Sequence, residues 1–384
     1  MAVTSGQPQP WPIPRSAYIH VPFCRHRCGY CNFSVVADRD DLITRFLDAI
    51  DNELSILDRP SIDTLFLGGG TPTHLPIDAL QELMRILHRR FRFSEDIEFS
   101  SEANPEDITE EKLCVLADAG VNRISLGVQS FDDQKLSTLQ RGHSGDSAQR
   151  IIEQVTEVIA NVSIDLIFAA PGESLETWQR DVATALALPI QHLSTYALTF
   201  EKGTLFWNQL QRGDLQPAGE SLELEMYELV RSVAPAAGMT HYEISSFATP
   251  THRCRHNIAY WEGSGWYAAG PGAARFVNGR REVNHRSTTA YLRRMETGQS
   301  PTAESELVTP QQAARERAAF GIRRIDGIDL ADLAQQTGVN MLTLLADAIE
   351  QCEREDLIVR NGDHIRLTER GILFADTVAS RFLA

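Results

Sequence analysis

Apolar runs of strand length alternate with helical patterns through the first half of the chain, and this alternation narrows the possible folds further than any other feature. The runs are Ala17 to Val21, Thr64 to Leu67, Ile97 to Ser100, Arg123 to Val128, Val162 to Phe168 and His192 to Leu198. Between them, Leu42 to Leu57, Pro76 to Phe91, Glu110 to Ala119, Ser147 to Ala160 and Leu175 to Leu186 place Leu, Ile, Val and Ala at spacings of three and four, the period of a helix face. Right-handed strand–helix units of this kind build either an open doubly wound sheet or a barrel, complete or partial. Periodicity does not choose between them, but both gather ligands beyond the carboxyl ends of the strands.

The unusual residues fall at those ends. Cys24 to Cys31 follow the first strand, Gly68-Gly69-Gly70-Thr71-Pro72 the second, Glu102 to Pro105 the third, Gln129-Ser130 the fourth and Pro171-Gly172 the fifth. One site on a shared rim is therefore expected.

Cys24-x3-Cys28-x2-Cys31 packs three of the six cysteines into eight positions. Three thiolates can hold three irons of a four-iron cluster and leave the fourth open to a small molecule. The alternatives are a structural zinc closed by His20 or His26, and free core cysteines. The glycine triplet lets a ligand approach the backbone, or is a plain strand-to-helix turn. Glu102, Gln129, Arg141 and Asp165 suit the amino, carboxylate and ribose hydroxyl groups of a nucleoside–amino-acid ligand. Taken singly, Glu102 could neutralise Arg123, and Asp165 could be a paired core carboxylate.

Beyond Thr199 the alternation stops. A helix is expected over Ala218 to Ala234, then a Gly- and aromatic-rich region from His241 to Phe276. In the last segment, helices at Pro310 to Phe320, Leu330 to Gln336 and Met341 to Glu355 precede strands at Leu357 to Arg360 and His364 to Leu367, joined through Asn361-Gly362, an order that suggests a winged helix. The expected division is a flexible tail over 1–16, the strand–helix domain over 17–235, a small α/β connector over 236–303 and a winged-helix-like domain over 304–384.

A formal net charge of −16 repels nucleic acid, and Asp347, Glu350, Glu353 and Glu355 would turn the third helix of the last domain away from phosphates. No run approaches the ~18 apolar residues of a membrane span, and the polar, Pro-rich opening lacks the pattern of a signal peptide. With three cysteines clustered and Cys114, Cys254 and Cys352 scattered, a reduced, cytoplasmic setting is expected.

Tyr18 to Phe33 with its three cysteines, followed by Gly68 to Pro72, resembles the radical S-adenosylmethionine (SAM) proteins. More narrowly, Tyr-Ile-His-Val-Pro-Phe-Cys at 18–24, Leu-Gly-Val-Gln-Ser-Phe at 126–131, Arg-Gly-His at 141–143 and Ile-Asp-Leu-Ile-Phe at 164–168 are similar to the anaerobic coproporphyrinogen oxidase group. Phe33 stands where the oxidases carry a further cysteine, the longer oxidase extension is absent, and His256-Asn257-Ile258-Ala259-Tyr260-Trp261 matches the His-Asn-x-x-Tyr-Trp signature of the HemW-type haem chaperones.

That resemblance implies a partial (β/α)6 barrel and a [4Fe-4S] cluster on Cys24, Cys28 and Cys31. It also implies SAM lined by Tyr18, Tyr30, Gly69, Gly70, Thr71, Glu102, Gln129, Arg141, Asp165 and Ala197, with haem as cargo near His256, Asn257, Tyr260 and Trp261. The implied activity is haem transfer to haemoproteins, including peripheral contact with membrane haemoproteins, without porphyrinogen decarboxylation. The alternatives are an oxygen-independent coproporphyrinogen III oxidase working through a 5′-deoxyadenosyl radical, and a non-catalytic metal-binding adaptor.

Overall fold

The computed structural model describes residues 11–384. Of the expected tail, residues 1–10 lie outside the described residues. Trp11 packs edge-on against Phe276 with ring centroids 5.7 Å apart, and Ser16 already belongs to the first strand.

All six expected strands form. β1 (Ser16–Val21) leads into the cysteine loop, whose ends are pinned by a short parallel pair, β2 (Phe23–Cys24) and β3 (Val36–Ala37). β4 (Ser61–Gly69), β5 (Arg92–Ala103), β6 (Arg123–Gln129), β7 (Asn161–Phe168) and β8 (His192–Ala197) follow. They lie side by side, all parallel, in the order β1-β4-β5-β6-β7-β8.

The crossovers are α1 (Ile43–Leu54), α2 (Ile77–Arg90), α3 (Glu110–Asp118), a short α4 (Asp133–Thr138) with α5 (Gly145–Val158), and α6 (Leu175–Ala187). Their starts are written locally: the side chains of Thr109, Ser144 and Ser174 each accept a backbone N–H at the N-terminus of α3, α5 and α6, a cap worth about 1 kcal/mol. Leu80, Leu83 and Leu87 on one face of α2 are fully buried, each contributing about 1.5–3 kcal/mol.

The strands carry two alternating sets of residues. Ile124, Leu126, Val162, Ile164, Leu166 and Leu193 enter the core shared with the helices. Arg123, Ser125, Ser163, Asp165, His192 and Ser194 line the concave side. Because successive side chains point to opposite faces, the polar set is turned inward, and the result is a partial barrel with a lined lumen.

Downstream elements extend both edges of this sheet. After α7 (Leu205–Arg212) and α8 (Glu220–Val233) come β9 (Thr240–Glu243) and β10 (Ser246–Ala248); β10 adds antiparallel to β8, and β9 pairs antiparallel with β10 at the edge. The chain then crosses through α9 (Arg255–Trp261) to the far edge. There β11 (Trp266–Ala269) pairs parallel with β1, and β12 (Ala274–Val277), β13 (Arg280–Asn284) and β14 (Thr302–Leu307) continue antiparallel, with α10 (Thr288–Glu296) between the last two. The expected connector thus joins one twelve-stranded sheet rather than standing beside it, and no pairing among the described residues closes the barrel.

The last segment has its own core: α11 (Pro310–Gly321), β15 (Ile328–Asp329), α12 (Leu330–Thr337), α13 (Met341–Leu344), α14 (Ala346–Arg354), β16 (Ile358–Asn361) and β17 (His364–Leu367), then α15 (Glu369–Leu373) and α16 (Ala375–Leu383). The single helix expected over Met341 to Glu355 is broken at Leu345, which leaves helical geometry with φ −110°. α11 lies against α9 and carries this domain onto the open lower end of the barrel.

Candidate functional site

The cysteine loop lies over the carboxyl ends of the strands. Gly29 is there for space: a Cβ would sit 2.4 Å from the Phe206 ring of α7, and Phe206 N–H donates to Gly29 O at 2.9 Å. Cys24, Cys28 and Cys31 line one cavity of about 150 Å³ together with Tyr30, Gly69, Gly70, Thr71, Glu102, Gln129, Arg141 and Asp165. Among the described residues no three His, Cys, Asp or Glu side chains crowd closely enough to hold one ion. His20 is turned away, its ring nitrogens on Tyr18 OH at 3.1 Å and Ser34 O at 2.9 Å.

A polar chain ties two of the cysteines together. Arg141 Nη1 lies 3.6 Å from Cys28 Sγ, and Arg141 Nη2 donates to Asn104 Oδ1 at 2.6 Å. Asn104 Nδ2 donates to Thr71 Oγ1 at 2.7 Å, itself 3.5 Å from Cys24 Sγ. Arg141 Nε is buried without a partner, a free donor that an anionic group in the cavity would satisfy. Burial works against the Arg141 charge, but Tyr30, Cys28 and Glu106 outweigh it and hold its pKa above the ordinary value. Burial pushes the Cys24 thiol up to about 12 and raises Cys31 as well, so these thiols are neutral until a metal takes their protons.

The glycine triplet is a cradle. A Cβ on Gly70 would lie 2.6 Å from Phe23 O, and Gly69, at φ +106°, crosses the His20 ring with no room for a side chain. Gly69 N–H donates to Glu102 Oε2 at 3.0 Å. Glu102 does not pair with Arg123, whose Nη1 is spent on Asn161 Oδ1 and His252 O. Burial, and then repulsion from Asp165, lifts Glu102 to about 8; burial lifts Asp165 to about 6 against hydrogen bonds from Ser194 and Ser125. Gln129 holds φ +66° at the end of β6, local strain of the kind that accompanies binding sites. Three thiols, a bare backbone and one unsatisfied buried guanidinium N–H form a donor set that fits a cluster with a zwitterionic ligand.

Two residues that the resemblance assigned to SAM lie elsewhere. Ala197 is on the opposite side of β8, in a separate cavity with Phe168 and Thr195. Tyr18 lines a larger space below, about 530 Å³, together with His256, Asn257, Tyr260 and Trp261. Glu102, Ser125 and Asp165 line both cavities and form the septum between them.

The lower cavity is aromatic: Phe66, Tyr260, Trp261, Trp266, Phe276 and Phe320 wall it. α9 is held there by Glu98, whose carboxylate accepts the N–H groups of Arg255 and His256, both at 2.9 Å. His256 is buried, stacked on Phe66 at 5.1 Å, with Nδ1 2.8 Å from Thr64 Oγ1 and Nε2 2.8 Å from Tyr260 OH. Burial lowers its pKa to about 3. The imidazole is neutral, and both of its nitrogens are engaged.

The lumen residues Ser125, Ser163, His192 and Ser194 were not singled out from sequence, and Arg123 was named only as a possible partner of Glu102. Their signal was present in polar side chains at every second position of otherwise apolar strands.

The chain is 34% identical to the haem chaperone HemW of Bacillus subtilis, covering 96% of this chain and 99% of that protein. It is 35% identical to that of Mycobacterium tuberculosis over 96% and 95%, and 30% identical to that of Escherichia coli over 97% and 98%. It belongs to the HemW haem chaperone family. Residues 18–185 of this HemW-family chain match the radical SAM superfamily, and residues 308–374 match the HemN C-terminal domain. Among solved structures, the coproporphyrinogen III oxidase HemN of Escherichia coli superposes with a TM-score of 0.85 at 21% identity, covering 97% of this chain and 90% of that one. The fold of this chain is therefore that of HemN. Membership in the radical SAM superfamily implies a [4Fe-4S] cluster and SAM.

Proposed function

We propose that the protein binds haem and hands it to haemoproteins in the cytoplasm, holding a [4Fe-4S] cluster on Cys24, Cys28 and Cys31 and SAM beside it. When bound, the cluster supplies an open iron for the amino and carboxylate groups of SAM. Arg141 would face the anionic part of the ligand there, and Glu102, held protonated by burial and by the Asp165 charge, would ionise beside its cationic group, while Asp165 would accept from its hydroxyls.

The observation that carries the haem reading is the 530 Å³ aromatic cavity with His256 in its wall, of the size and lining that suit a large flat apolar ligand. Iron coordination at His256 Nε2 requires Tyr260 OH to leave that nitrogen. No helix among the described residues is long and apolar enough to cross a membrane; contact with membrane haemoproteins would be peripheral.

Titration with haem, comparing wild type with His256→Ala, tests the site. Weaker binding or an altered Soret band in the variant is expected, and identical curves would remove His256 from it. Incubation of the reconstituted protein with coproporphyrinogen, SAM and a reductant under anaerobic conditions separates the chaperone from an oxidase; stoichiometric protoporphyrinogen would overturn the chaperone reading.

A further inference from the structure

Arg317 of α11 is 6% exposed. Its one hydrogen bond is to Gln336 Oε1, at the long distance of 3.4 Å, and it has no carboxylate partner among the described residues. The other arginines of the lumen differ. Arg281 is paired with Glu306 and Glu316, and Arg123 is held by Asn161 Oδ1 and His252 O at 3.2 and 3.0 Å. A guanidinium taken out of water without a counter-charge is costly, and such groups are normally paired. Burial alone shifts the Arg317 pKa, downward, with no compensating neighbour.

Its position gives this unpaired charge a use. Arg317 stands in the wall between the aromatic lumen and a second cavity of about 520 Å³. Its stem crosses Gly263, two residues beyond Trp261, where a Cβ would meet Arg317 Cγ at 2.3 Å. The second cavity carries Glu262, Asp329 and Asp332, and its one other cation, Arg324, is already paired with Glu262; in the lumen Glu316 is neutralised by Arg281, so the lumen is the side of Arg317 that repels a carboxylate less.

We propose that Arg317 receives a carboxylate of the cargo whose apolar body occupies the aromatic lumen, so that the C-terminal domain supplies part of the binding site. This rests on the haem reading, which makes the ligand a tetrapyrrole with carboxylate side chains. Arginine is suited to the task, since its fork meets a carboxylate in two parallel hydrogen bonds.

The test is titration of the full chain with haem and with haem dimethyl ester, which keeps the ring and iron but has no free carboxylate. Wild type is expected to prefer haem. Arg317→Gln should weaken haem by about tenfold or more, the scale of one charge-assisted hydrogen bond, and leave the ester unchanged, so that ester binding also reports an intact fold. Arg317→Met repeats the measurement with the apolar stem kept, and Arg317→Lys should restore part of the preference. Wild-type discrimination surviving in the Gln and Met variants overturns the assignment. If wild type binds neither compound, the haem reading itself fails and takes the assignment with it.

Discussion

The two ends of the lumen share a septum and little else. Above it, thiols, bare glycine backbone and charged side chains enclose about 150 Å³; below it, an aromatic wall with His256 faces the polar strand residues Arg123, Ser163, His192 and Ser194 across about 530 Å³. The upper end is built from loops at the carboxyl ends of the strands. The lower end is built from late-sequence elements, α9, β11, β12 and α11, brought in beneath them. One barrel thus brings a three-thiol cavity and an aromatic-walled cavity to the same three residues, Glu102, Ser125 and Asp165.

The comparison is broken most completely by deleting a thiol. Serine at Cys24, Cys28 or Cys31 is expected to reduce iron after anaerobic reconstitution from about four per chain toward none, while haem titration of the lower cavity stays unchanged. Haem affinity that fell in step with the iron would show that the two ends are one site.

Gly70→Ala attacks the upper cradle by shape alone. With its Cβ 2.6 Å from Phe23 O, the backbone must shift, and overpacking of this kind costs about 1–3 kcal/mol. A lower melting temperature and weaker SAM binding are expected; an unaltered melt would mean that the loop yields freely.

Tyr260→Phe probes the lower end. It removes the hydroxyl that occupies His256 Nε2, so haem should bind about fivefold more tightly, the equivalent of ~1 kcal/mol for a hydrogen bond no longer exchanged. Unchanged affinity together with an unchanged visible spectrum would place the iron away from His256.

A pH test concerns the septum. Glu102 is raised from 4.5 to about 8 and Asp165 from 3.8 to about 6, so the folded protein keeps protons that the unfolded chain has released. Stability of the ligand-free protein is therefore greatest at low pH with respect to these groups and declines as pH rises through this window. Glu102→Gln should flatten the decline between pH 6 and pH 8, read by urea unfolding; an unchanged slope would assign it to other groups.

Much of the upper end was legible in advance because it is local. A cysteine run, a glycine triplet and polar residues just past strand ends are neighbours in sequence, and the parallel-barrel rule places all of them on one rim. Less was legible below. Arg317 and Trp266 lie far from the barrel strands in sequence, and β11 to β14 lack the apolar runs that marked the barrel strands, as in Arg-Arg-Glu-Val-Asn and Thr-Ala-Glu-Ser-Glu-Leu. The pairing of Arg123 with neutral partners, leaving Glu102 free of it, depends on register, which a one-residue slip would reverse.

Sequence by itself determined the six strands, the five helical patterns between them and the gathering of three cysteines just past the first strand, since periodicity and residue spacing act over a few residues. Only the tertiary structure decided that the His256 motif faces the septum from beneath, that its ring is engaged on both sides, and that Arg317 closes its cavity without a counter-charge. Those facts are contacts between segments up to some two hundred residues apart, as between Thr64 and His256, and burial and charge balance at such contacts exist only once the chain has packed.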